Sequence, residues 1–591
     1  MRAVILAAGR GSRMGRLTAE QNKSLLEVGG RPLLGRIVDS LVDHEVRKIV
    51  VATGYLAHRV QQYLLDAYPE IDFEFVHNPE FAGTNNARTL ALALDCSDVD
   101  DDVLVIESDL VYDPSLIAKV LRSPHRNVAL VAPLASGADG SVAHVTEGRI
   151  EAITPASGHP GLDADGVYKT VNIYKFSAAL AYTTLRKTLD EHSRNVDRQA
   201  YYETVLGSLI VRGEAAVHVE VVEGEAWAEL DDPMDLARAR YVFEPDSRPS
   251  ILERARGGHW NYPVLDFTEL RNMHFPTPEM HDELAGALPD LTTRYGSSQS
   301  VLDEKLSYFV PCRADRVILL NGLSQIYPLL REWLSGKRVL IPNPTFGEYS
   351  RVFPEADRYQ DHFGFDPAAL ESSAGGYDAV VIVNPNNPTG TVIETSWIAE
   401  FARANPDLVV IVDESFVAFS TEASLCAQIE AQGIANLVVL RSLSKELGVP
   451  GLRLGYLFSV GEGVMDFVRE RTPIWNAGSV AEAFLELLLK HRAEFARSIE
   501  ATLADRSRFS EELREVPIVS HVREGGGNFV VVQLEGAPEV LGDVPGRLLR
   551  DWGIYVKDIS ERIDDGSFYL RLAVRLPEEN RRLAAALSAI S

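Results

Sequence analysis

The chain has 591 residues, 46% of them hydrophobic and 24% charged, which predicts an ordinary globular protein of two to four domains. A formal net charge of −27 opposes binding to nucleic acid or to an anionic membrane, and no run of eighteen apolar residues predicts a membrane span. The three cysteines, Cys96, Cys312 and Cys426, are too far apart to indicate a disulfide framework or a metal cluster, which favours a cytoplasmic protein.

A glycine-rich loop follows the first predicted strand. The strand, Arg2–Leu6, is apolar and runs into AAGRGSRMG, which contains Gly9 and Gly11. Glycines let the backbone turn tightly, so that the N–H groups of such a loop can face an anion. A Gly-x-Gly after a strand would also fit a dinucleotide-binding fold. Arg13 inside the loop and Lys23 ten residues later supply the cations that a triphosphate requires.

The segments LAAGRGSRM, LT and NKSLLEVGGRPLL resemble those of the sugar-phosphate and choline-phosphate nucleotidyltransferases, although Asn22 stands where that family usually has proline. The resemblance covers residues 1–240 and implies a Rossmann-like α/β nucleotidyltransferase domain. It implies that Lys23 stabilises charge on the α-phosphate of CTP. The residues that it implies around the triphosphate are Ala8, Gly9, Gly11, Ser12 and Arg13.

A pair of asparagines lies further along this domain. The predicted strand Val46–Thr53 and an amphipathic helix around His58–Tyr68 precede Asn85-Asn86. The pair resembles the TNN element of choline-phosphate and phosphonate cytidylyltransferases, which implies contact with the base or the acceptor. The alternative is a helix N-cap at Thr84 or Asn85, because short polar side chains are favoured there.

Two aspartates are candidates for a magnesium site. Asp109 follows the predicted strand Asp102–Ser108, at the strand end where α/β sheets bind ligands. The segment WAELDDPMDL resembles the family pattern EIDxxxDL, which places a second ligand at Asp231 rather than Asp232. Mg²⁺ prefers few carboxylates together with phosphate oxygens. The sequence therefore predicts that Asp109 and Asp231 hold Mg²⁺.

The acceptor site is predicted from the segment KTVNIY and from a later helix. KTVNIY resembles the KTxNIY element of phosphonate cytidylyltransferases, which implies acceptor contacts for Lys169 and Asn172. Glu203 is a candidate for binding an amino group on the acceptor, although an exposed helix glutamate is the commoner role for such a residue. The mixed, Pro- and Gly-containing segment 241–261 predicts a linker with a short helix.

A second set of motifs occupies residues 262–591. Helices are predicted at Met280–Leu288 and Ser300–Phe309. Strands are predicted at Val317–Leu320, Arg338–Ile341, Tyr377–Val383, Leu408–Val412 and Ser567–Arg575. Asn321-Gly-Leu-Ser opens a helix after the first of these strands, and backbone N–H groups at a helix start bind anions.

A lysine with nearby hydroxyls and an arginine is the central feature of this second half. Lys445 lies in SLSKELGVPGLR, with Arg453 eight residues later. Ser442-Leu-Ser-Lys445 also fits the S-x-x-K of penicillin-binding enzymes, but their SDN and KTG motifs are absent from the sequence. A lysine amine can form a Schiff base with the aldehyde of pyridoxal 5′-phosphate (PLP), and the hydroxyls and arginine can hold its phosphate.

These motifs, with Asn384-Pro-Asn-Asn-Pro-Thr-Gly390, resemble the fold-type I PLP-dependent aminotransferases, whose small subdomain is expected mainly at 500–591. The resemblance implies that Asp413 pairs with the pyridine nitrogen, Asn387 donates to the phenolic oxygen and Phe346 stacks on the ring. Tyr295 is implied to reach the phosphate of a partner subunit in a homodimer. The residues implied at the phosphate of the same subunit are Gly322, Leu323, Ser324, Ser442, Ser444 and Arg453.

PTFGEY, VDESF and LRLAVRLPEEN are closer to threonine-phosphate decarboxylase than to histidinol-phosphate aminotransferase, because Phe416 replaces the aminotransferase tyrosine. Arg571 and Arg575 are predicted to anchor the substrate's anionic groups, since arginine binds carboxylate and phosphate bidentately. The whole chain resembles the fused decarboxylase/cytidylyltransferases of phosphonate antibiotic pathways. The resemblance implies decarboxylation of a phosphono amino acid such as 2-amino-4-phosphonobutyrate and CMP transfer from CTP to the phosphonate.

Three alternatives stay open at this stage. The PLP half could be a phosphonate transaminase, or the pair of reactions could be phosphoserine decarboxylation and CDP-ethanolamine synthesis. A degenerate regulatory protein is disfavoured, because Lys23, Asp109, Asp231, Asp413 and Lys445 are all present.

Overall fold

A computed structural model describes residues 1–95, 100–134, 140–155 and 166–590 of the chain. Cys96 lies outside these ranges. The chain forms two compact units, Met1–Ala255 and Arg256–Ser591, and the boundary between them falls within the segment expected to be a linker. Among the described residues, no helix is both long enough and apolar enough to cross a membrane.

The first unit is a mixed α/β structure. Its strands are β1 Arg2–Ala7, β2 Glu27–Val28, β3 Arg31–Pro32, β4 Lys48–Thr53, β5 Phe73–His77, β6 Val103–Glu107, β7 Leu110–Tyr112, β8 Val128–Pro133, β9 Ser141–Thr146, β10 Arg149–Pro155, β11 Val167–Phe176, β12 His218–Val221 and β13 Trp227–Glu229. Its helices are α1 Leu33–Asp43, α2 Ala57–Ala67, α3 Asn86–Ala93, α4 Ser115–Arg122, α5 Arg186–Asn195, α6 Tyr202–Val211, α7 Pro233–Phe243 and α8 Arg248–Ala255.

A nine-stranded sheet forms the centre of this unit, in the order β5-β4-β1-β6-β11-β8-β12-β10-β9. β1 is buried along its whole length and pairs in parallel with both β4 and β6, which explains its uninterrupted apolar sequence. Parallel neighbours end at the same edge of a sheet. The loop after β1 and Asp109 after β6 are therefore brought to one side, where α/β sheets bind ligands.

The second unit also combines helices with two sheets. Its strands are β14 Leu265–Asp266, β15 Val317–Asn321, β16 Val339–Asn343, β17 Asp357–Gln360, β18 Ala379–Val383, β19 Val409–Asp413, β20 Leu437–Ser442, β21 Leu454–Phe458, β22 Val519–Glu524, β23 Phe529–Leu534, β24 Ile554–Tyr555, β25 Lys557–Asp558 and β26 Phe568–Ala573. Its helices are α9 Pro278–Leu291, α10 Gln299–Phe309, α11 Ile326–Trp333, α12 Gly347–Val352, α13 Pro367–Ala374, α14 Thr395–Ala404, α15 Cys426–Gln432, α16 Leu443–Glu446, α17 Glu462–Arg471, α18 Ser479–Lys490, α19 Arg492–Arg514, α20 Pro538–Leu541, α21 Val544–Trp552, α22 Ser560–Ile563 and α23 Pro577–Ile590.

A seven-stranded sheet in the order β15-β21-β20-β19-β18-β16-β17 forms the large subdomain of this unit. All neighbours are parallel except at β21, which runs antiparallel to β15 and β20. The antiparallel sheet β22-β23-β26-β25 belongs to the small subdomain. Because β18, β19 and β20 run in parallel, the residues that follow them lie together at one edge. The expected α/β fold class is confirmed for both units.

The two subdomains of the second unit meet at a joint made of glycines. A Cβ atom added to Gly390 would lie 2.7 Å from the Cα of Gly525, and φ at Gly390 is +76°. Gly526 donates a backbone hydrogen bond of 2.9 Å to the carbonyl of Gly390. Only glycine permits this approach of the two backbones, because real Cβ atoms do not come so close to backbone atoms.

Candidate active sites

The first unit contains a cavity of about 680 Å³ at the edge reached by β1 and β6. Every site residue that the sequence predicted for this unit lines it. These residues are Ala8, Gly9, Gly11, Ser12, Arg13, Lys23, Asn85, Asn86, Asp109, Lys169, Asn172, Glu203 and Asp231.

The loop after β1 presents Lys23 to this cavity. Gly11 has φ +62°, and a Cβ there would lie 3.0 Å from the Cβ of Lys23, so a side chain would disturb the lysine. The Asn22 side chain accepts from the N–H of Ser24 at 3.0 Å and donates to the carbonyl of Tyr55 at 2.7 Å. Asn22, which replaces the proline of the resembled family, therefore ties the short turn carrying Lys23 to its surroundings.

Lys23 lies between two carboxylates. Its Nζ is 2.7 Å from Asp109 Oδ2 and 3.0 Å from Asp231 Oδ1, while Arg13 Nη2 is 2.8 Å from the same Asp231 oxygen. Burial lowers the pKa of Lys23, but the two carboxylates outweigh burial and raise the pKa above its ordinary value. Burial raises the pKa of Asp231, yet Lys23 and Arg13 bring it below its usual range.

Three carboxylates could hold a divalent ion here. One oxygen each from Asp109, Glu229 and Asp231 lies within 4.8 Å of the others, and buried Asp109 Oδ1 has no hydrogen-bond partner in the described part of the chain. Asp232 is used differently, because its side chain caps α7 and accepts from the N–H groups of Met234 and Asp235. The unsatisfied oxygen and the all-carboxylate donor set fit Mg²⁺. The sequence analysis missed Glu229, whose signal is its place two residues before Asp231 in the acidic run.

Glu229 also links the carboxylates to the acceptor residues. Lys169 Nζ lies 3.1 Å from Glu229 Oε2, and the Asn172 amide donates to Glu229 Oε1 at 3.0 Å. Asn172 has φ +60° and lies where the register between β11 and β8 shifts, an irregularity that redirects a side chain. Burial raises the pKa of Glu229 to about 7, with Lys169 opposing the rise and Asp109 and Asp231 adding to it.

Glu203 is buried in α6. Its Oε1 accepts from the hydroxyls of Thr170 and Tyr174, both at 2.9 Å, and its Oε2 accepts from Ser141 at 3.1 Å. The geometry therefore excludes the alternative of an exposed helix glutamate. Three donors to one carboxylate fix its position beside the cavity.

Asn85 and Asn86 were considered either as a helix N-cap or as contacts for the base or acceptor, and the structure is compatible with both roles. Asn85 is the N-cap of α3, and its side-chain oxygen accepts from the N–H of Asn86 at 2.8 Å. Asn86 donates to Glu107 Oε1 at 3.1 Å and accepts from the N–H of Tyr202 at 2.9 Å. Both also line the cavity, so the capping role and a ligand contact are compatible.

A smaller cavity lies at the edge of the large sheet in the second unit. It is lined by Leu323, Ser324, Phe346, Asn387, Asp413, Ser442, Lys445 and Arg453, which are eight of the residues predicted for the cofactor. Lys445 Nζ donates to Ser442 Oγ at 3.1 Å and lies 5.8 Å from the centre of the Phe416 ring. Burial lowers the pKa of Lys445; Asp413 opposes this, and Arg453 and Arg571 add to it.

Asp413 is held by three donors. Tyr349 donates its hydroxyl to Oδ2 at 2.8 Å, and Ser415 donates its N–H at 3.0 Å and its hydroxyl at 2.6 Å to Oδ1. Such bonds orient a buried carboxylate. A carboxylate held at the end of a buried strand fits the pyridine nitrogen of PLP. Tyr349 and Ser415 were not predicted as site residues, although both are close in sequence to residues that were.

The start of α11 and Arg453 form a place for a phosphate. Gly322 has φ +70°, and a Cβ there would lie 2.9 Å from Arg453 Cζ, so only glycine leaves room for the guanidinium. Arg453 Nη2 donates to Ser324 Oγ at 3.1 Å. Backbone N–H groups at a helix start together with an arginine match a phosphate group. With Lys445 and Asp413, this donor set fits PLP.

Comparison with protein families supports a nucleotide-binding first unit and a PLP-binding second unit. Residues 273–587, more than half of the chain, match the family model described as aminotransferase class I and II. The chain belongs to this aminotransferase family. Residues 3–173 match the model of a MobA-like NTP transferase domain, so the first unit of this aminotransferase-family protein is a nucleotidyltransferase domain.

A relative that is similar over the whole chain matches both units of this aminotransferase-family protein. CMP-5′-(3-aminopropyl)phosphonate synthase of Streptomyces rubellomurinus is 32% identical over 100% of this chain and 95% of its own length, so the two belong to one family of fused enzymes. L-serine phosphate decarboxylase of Sulfurospirillum multivorans is 27% identical over 51% of this chain and 81% of its own length. The solved structure of a decarboxylase from the same organism covers 60% of this chain and 98% of its own, with TM-score 0.52 and 22% identity, which shows a shared fold.

Five predicted residues of the aminotransferase-family unit, Arg575 among them, are absent from the residues lining the cofactor cavity. Ser444 is buried and donates to the carbonyl of Leu454 at 3.3 Å. Tyr295 is 77% exposed and stacks on Trp475 with ring centres 4.3 Å apart. Gly322 borders the cavity through Arg453, as described above. Arg571 reaches its edge, because Nη1 donates to Asn387 Oδ1 at 2.9 Å.

Arg575, which was expected to anchor an anionic group of the substrate beside Arg571, is instead bound within the protein. Its Nε and Nη2 bind Glu579 at 3.1 and 2.8 Å, and its Nη1 donates to the carbonyl of Asp266 at 2.8 Å. All three nitrogens of the guanidinium thus have partners within the protein. The geometry gives Arg575 a structural role at the start of α23 rather than a place at the cofactor cavity.

Proposed function

We propose that this protein is a bifunctional enzyme that decarboxylates a phosphono α-amino acid and transfers CMP from CTP to the phosphonate. The observation that carries the proposal is the presence, in one chain, of a Lys445–Asp413 cavity and a Lys23–Asp109–Asp231 cavity. The synthase from Streptomyces rubellomurinus, whose printed product is a CMP-linked aminopropylphosphonate, shares both units. We propose 2-amino-4-phosphonobutyrate as the substrate, because it has that product's chain length plus a carboxylate.

In the first unit, a phosphonate oxygen attacks the α-phosphorus of CTP in line and pyrophosphate leaves. The backbone of Gly9–Ser12 faces the phosphates, while Arg13 and Lys23 stabilise the charge that grows on the equatorial oxygens. Asp109, Glu229 and Asp231 would hold Mg²⁺, which supplies charge neutralisation when bound. Lys169 and Asn172 orient Glu229, and Glu203 is the group that accepts an ammonium on the substrate.

In the second unit, PLP supplies an electron sink when bound. Asp413 would pair with the pyridine nitrogen, Phe346 would pack against the ring, and Arg453 with the start of α11 would hold the phosphate. Lys445 would hold the cofactor, and its Nζ, freed when the substrate's amine takes its place, would deliver a proton to the α-carbon in exchange for the carboxylate that is lost as CO₂. A proton placed at that carbon gives the amine product of a decarboxylation, whereas a transamination would give a keto acid.

Phe416 favours the first outcome. Its ring is buried, packs edge-on against Phe529 with centres 5.6 Å apart, and offers no hydrogen bond toward the cofactor. The resembled aminotransferases have a tyrosine in this place. We propose that loss of this hydroxyl, together with Lys445 as the proton donor at the α-carbon, directs the reaction to CO₂ release.

We propose that the enzyme is a cytoplasmic homodimer formed through the second unit. Tyr295 and Trp475 stack on each other at the surface, and Ile474 beside them is 76% exposed. Exposed aromatic and aliphatic side chains in one place are typical of an interface. In this proposal Tyr295 reaches the PLP phosphate of the partner subunit, and the three scattered cysteines support the cytoplasmic location.

One incubation tests the function. The protein, loaded with PLP, is mixed with CTP, Mg²⁺ and 2-amino-4-phosphonobutyrate, and both CO₂ and pyrophosphate are measured. The proposal expects both products. Formation of a keto acid together with transfer of an amino group to pyruvate would show that the second unit is a transaminase and not a decarboxylase.

The similarity to L-serine phosphate decarboxylase favours a second candidate function. In that case the enzyme decarboxylates phosphoserine and transfers CMP to the resulting phosphoethanolamine. Phosphoserine and 2-amino-4-phosphonobutyrate supplied at equal concentration would distinguish the two, and faster CO₂ release from phosphoserine would decide for this candidate.

A further inference from the structure

Arg562 is a cation without a partner beside the cofactor cavity. Its side chain is exposed, and within the described ranges its guanidinium makes no hydrogen bond and no ion pair, although Glu561, Asp564 and Asp565 are close in sequence. Asp565 is instead bonded by Tyr569 at 2.9 Å. An arginine left unpaired among acidic neighbours is available to a ligand.

The position of Arg562 is set by its short helix, α22. Ser560 donates its N–H and its hydroxyl to Asp558 at 2.8 and 2.6 Å, and Tyr569 donates its N–H to Ser560 Oγ at 2.9 Å. Ile563 is buried in the same apolar cluster as Phe416 and Tyr569. The helix is thus attached to β26 and to the cluster beside the cofactor lysine, so Arg562 is presented from a fixed base.

Two observations place the guanidinium near residues that border the cavity. A Cβ atom added to Gly347 would lie 3.6 Å from Arg562 Nη2, and Gly347 directly follows Phe346, which lines the cavity. Arg562 is also close enough to Arg571 to act on it. Burial lowers the pKa of Arg571 to about 10, and Arg562 is the next cause of that shift.

Arg562 and Arg571 are two cations that act on each other, and the carboxylate of Asp266 partly opposes the effect of Arg562 on Arg571. Arg571 Nε is buried and has no hydrogen-bond partner among the described residues. Two arginines within reach of each other match a group with more than one negative charge and several acceptor oxygens better than they match a single carboxylate.

We propose that Arg562, with Arg571, binds the distal phosphonate of the amino acid substrate and thereby makes the second unit selective for substrates that end in a tetrahedral anion. This assignment rests on the proposed function. It concerns substrate binding only, and so does not depend on which bond at the α-carbon is broken.

A spectral titration tests the assignment. The full-length protein loaded with PLP is titrated with 2-amino-4-phosphonobutyrate or with 2-aminobutyrate, which lacks the phosphonate, while the absorbance of the cofactor reports binding. We expect Arg562→Gln to raise the Kd for the phosphonate about 10- to 100-fold and to leave that for 2-aminobutyrate unchanged. Arg562→Lys should give an intermediate Kd. Arg582→Gln, which removes another exposed arginine of the small subdomain, should change neither.

Three results would overturn the assignment. In Arg562→Gln, the Kd for the phosphonate could change less than twofold, or the affinity for both ligands could fall equally. In the wild-type protein, the phosphonate could give no spectral response. CO₂ measured in parallel keeps the two questions apart. A wild-type protein that binds the phosphonate through Arg562 but makes a keto acid contradicts the proposed decarboxylation and leaves the binding role in place.

Discussion

The hydroxyl of Tyr349 donates a 2.8 Å hydrogen bond to Oδ2 of Asp413 inside the large subdomain. Both residues are buried, and the bond fixes the carboxylate that is expected to pair with the pyridine nitrogen. Burial raises the pKa of Tyr349 well above its ordinary value, and the neighbouring Asp413 raises it further. The phenol therefore stays protonated and remains a donor at every working pH.

Replacing this donor should weaken the electron sink. Tyr349→Phe removes a hydrogen bond to a charged group, which contributes about 1.5–3 kcal/mol, so we expect CO₂ release to slow about 10- to 100-fold. Steady-state rates with saturating PLP provide the measurement. Tyr359→Phe is the matched control, because the hydroxyl of this half-buried tyrosine donates to the carbonyl of Val381, away from Asp413. A Tyr349→Phe rate within a factor of two of wild type would contradict the role.

The lowered pKa of Lys445 has a kinetic consequence. A lysine amine must be neutral to attack the aldehyde of PLP, and a pKa below the ordinary 10.5 leaves more of it neutral at pH 8. We therefore expect the rate of PLP capture by the cofactor-free protein to rise with a midpoint below pH 10.5. Arg453→Gln removes one of the cations that lower this pKa, so its plateau should move to higher pH. Stopped-flow absorbance against pH measures both, and a wild-type midpoint near 10.5 would exclude the effect.

We expect Lys23 to have two functions, in nucleotidyl transfer and in the stability of the first unit. Lys23→Met removes the cation expected at the α-phosphate, so pyrophosphate release should fall by about 10²- to 10³-fold or more, while CO₂ release stays within twofold. The same change removes the Lys23 cation from Asp109 and leaves Asp231 with Arg13, and loss of one partner from a buried ion pair costs at most about 3–5 kcal/mol. Calorimetry should show the first unit melting earlier, with Mg²⁺ restoring part of the difference.

Lys175→Met is the control for this experiment. Lys175 is also buried in the first unit, but its Nζ donates to the carbonyl of Ser123 and it does not line the nucleotide cavity. Its substitution should leave pyrophosphate release close to wild type. Equal losses in the two variants would mean that Lys23 acts only through the stability of the unit.

A buried carboxyl next to the Asn386 turn should make stability depend on pH. Burial raises the pKa of Asp361 to about 6, and the hydrogen bonds from Thr391 and Asn386 oppose the rise. Because the folded state holds its proton up to a higher pH than the unfolded state, this group's stabilising contribution is lost as pH rises from about 4 to 6. The loss is at most about 3 kcal/mol.

Asp361→Asn should flatten this part of the stability profile. Urea unfolding of the full chain at several pH values between 4 and 7, followed by the cofactor's absorbance, measures the slope. Asp357→Asn, at an exposed site on β17, is the control and should keep the wild-type slope. An unchanged slope in Asp361→Asn would assign the pH dependence to other groups.

Continuous apolar runs explain how much of the fold could be predicted. The strand expected at Val317–Leu320 is Val317–Asn321, and that expected at Leu408–Val412 is Val409–Asp413, because strands that are covered on both faces need apolar side chains on both. Residues at or shortly after the ends of the parallel strands, among them Asp413 and Lys445, could therefore be placed at one edge from sequence alone. Glycines such as Gly11 could also be assigned from the local sequence, because a tight turn after a strand requires them.

Partners set by tertiary packing could not be predicted. Tyr349 meets Asp413 across 64 positions of sequence, and Arg562 meets Gly347 across the two subdomains. Arg575 shows the limit of a local rule. Spaced four residues from Arg571, it would share its face if the strand continued, but β26 ends at Ala573 and the arginine turns to Glu579 on α23.

The glycine joint between the two subdomains of the second unit limits how this protein can diverge. At the contact between Gly390 and Gly525, the backbones of the two subdomains pack directly against each other with no side chain between them. Even the smallest added methyl group must separate the subdomain that carries Arg562 and Arg571 from the one that carries Lys445. Natural variation in substrate preference should accordingly accumulate in α22 and β26 and spare these two positions.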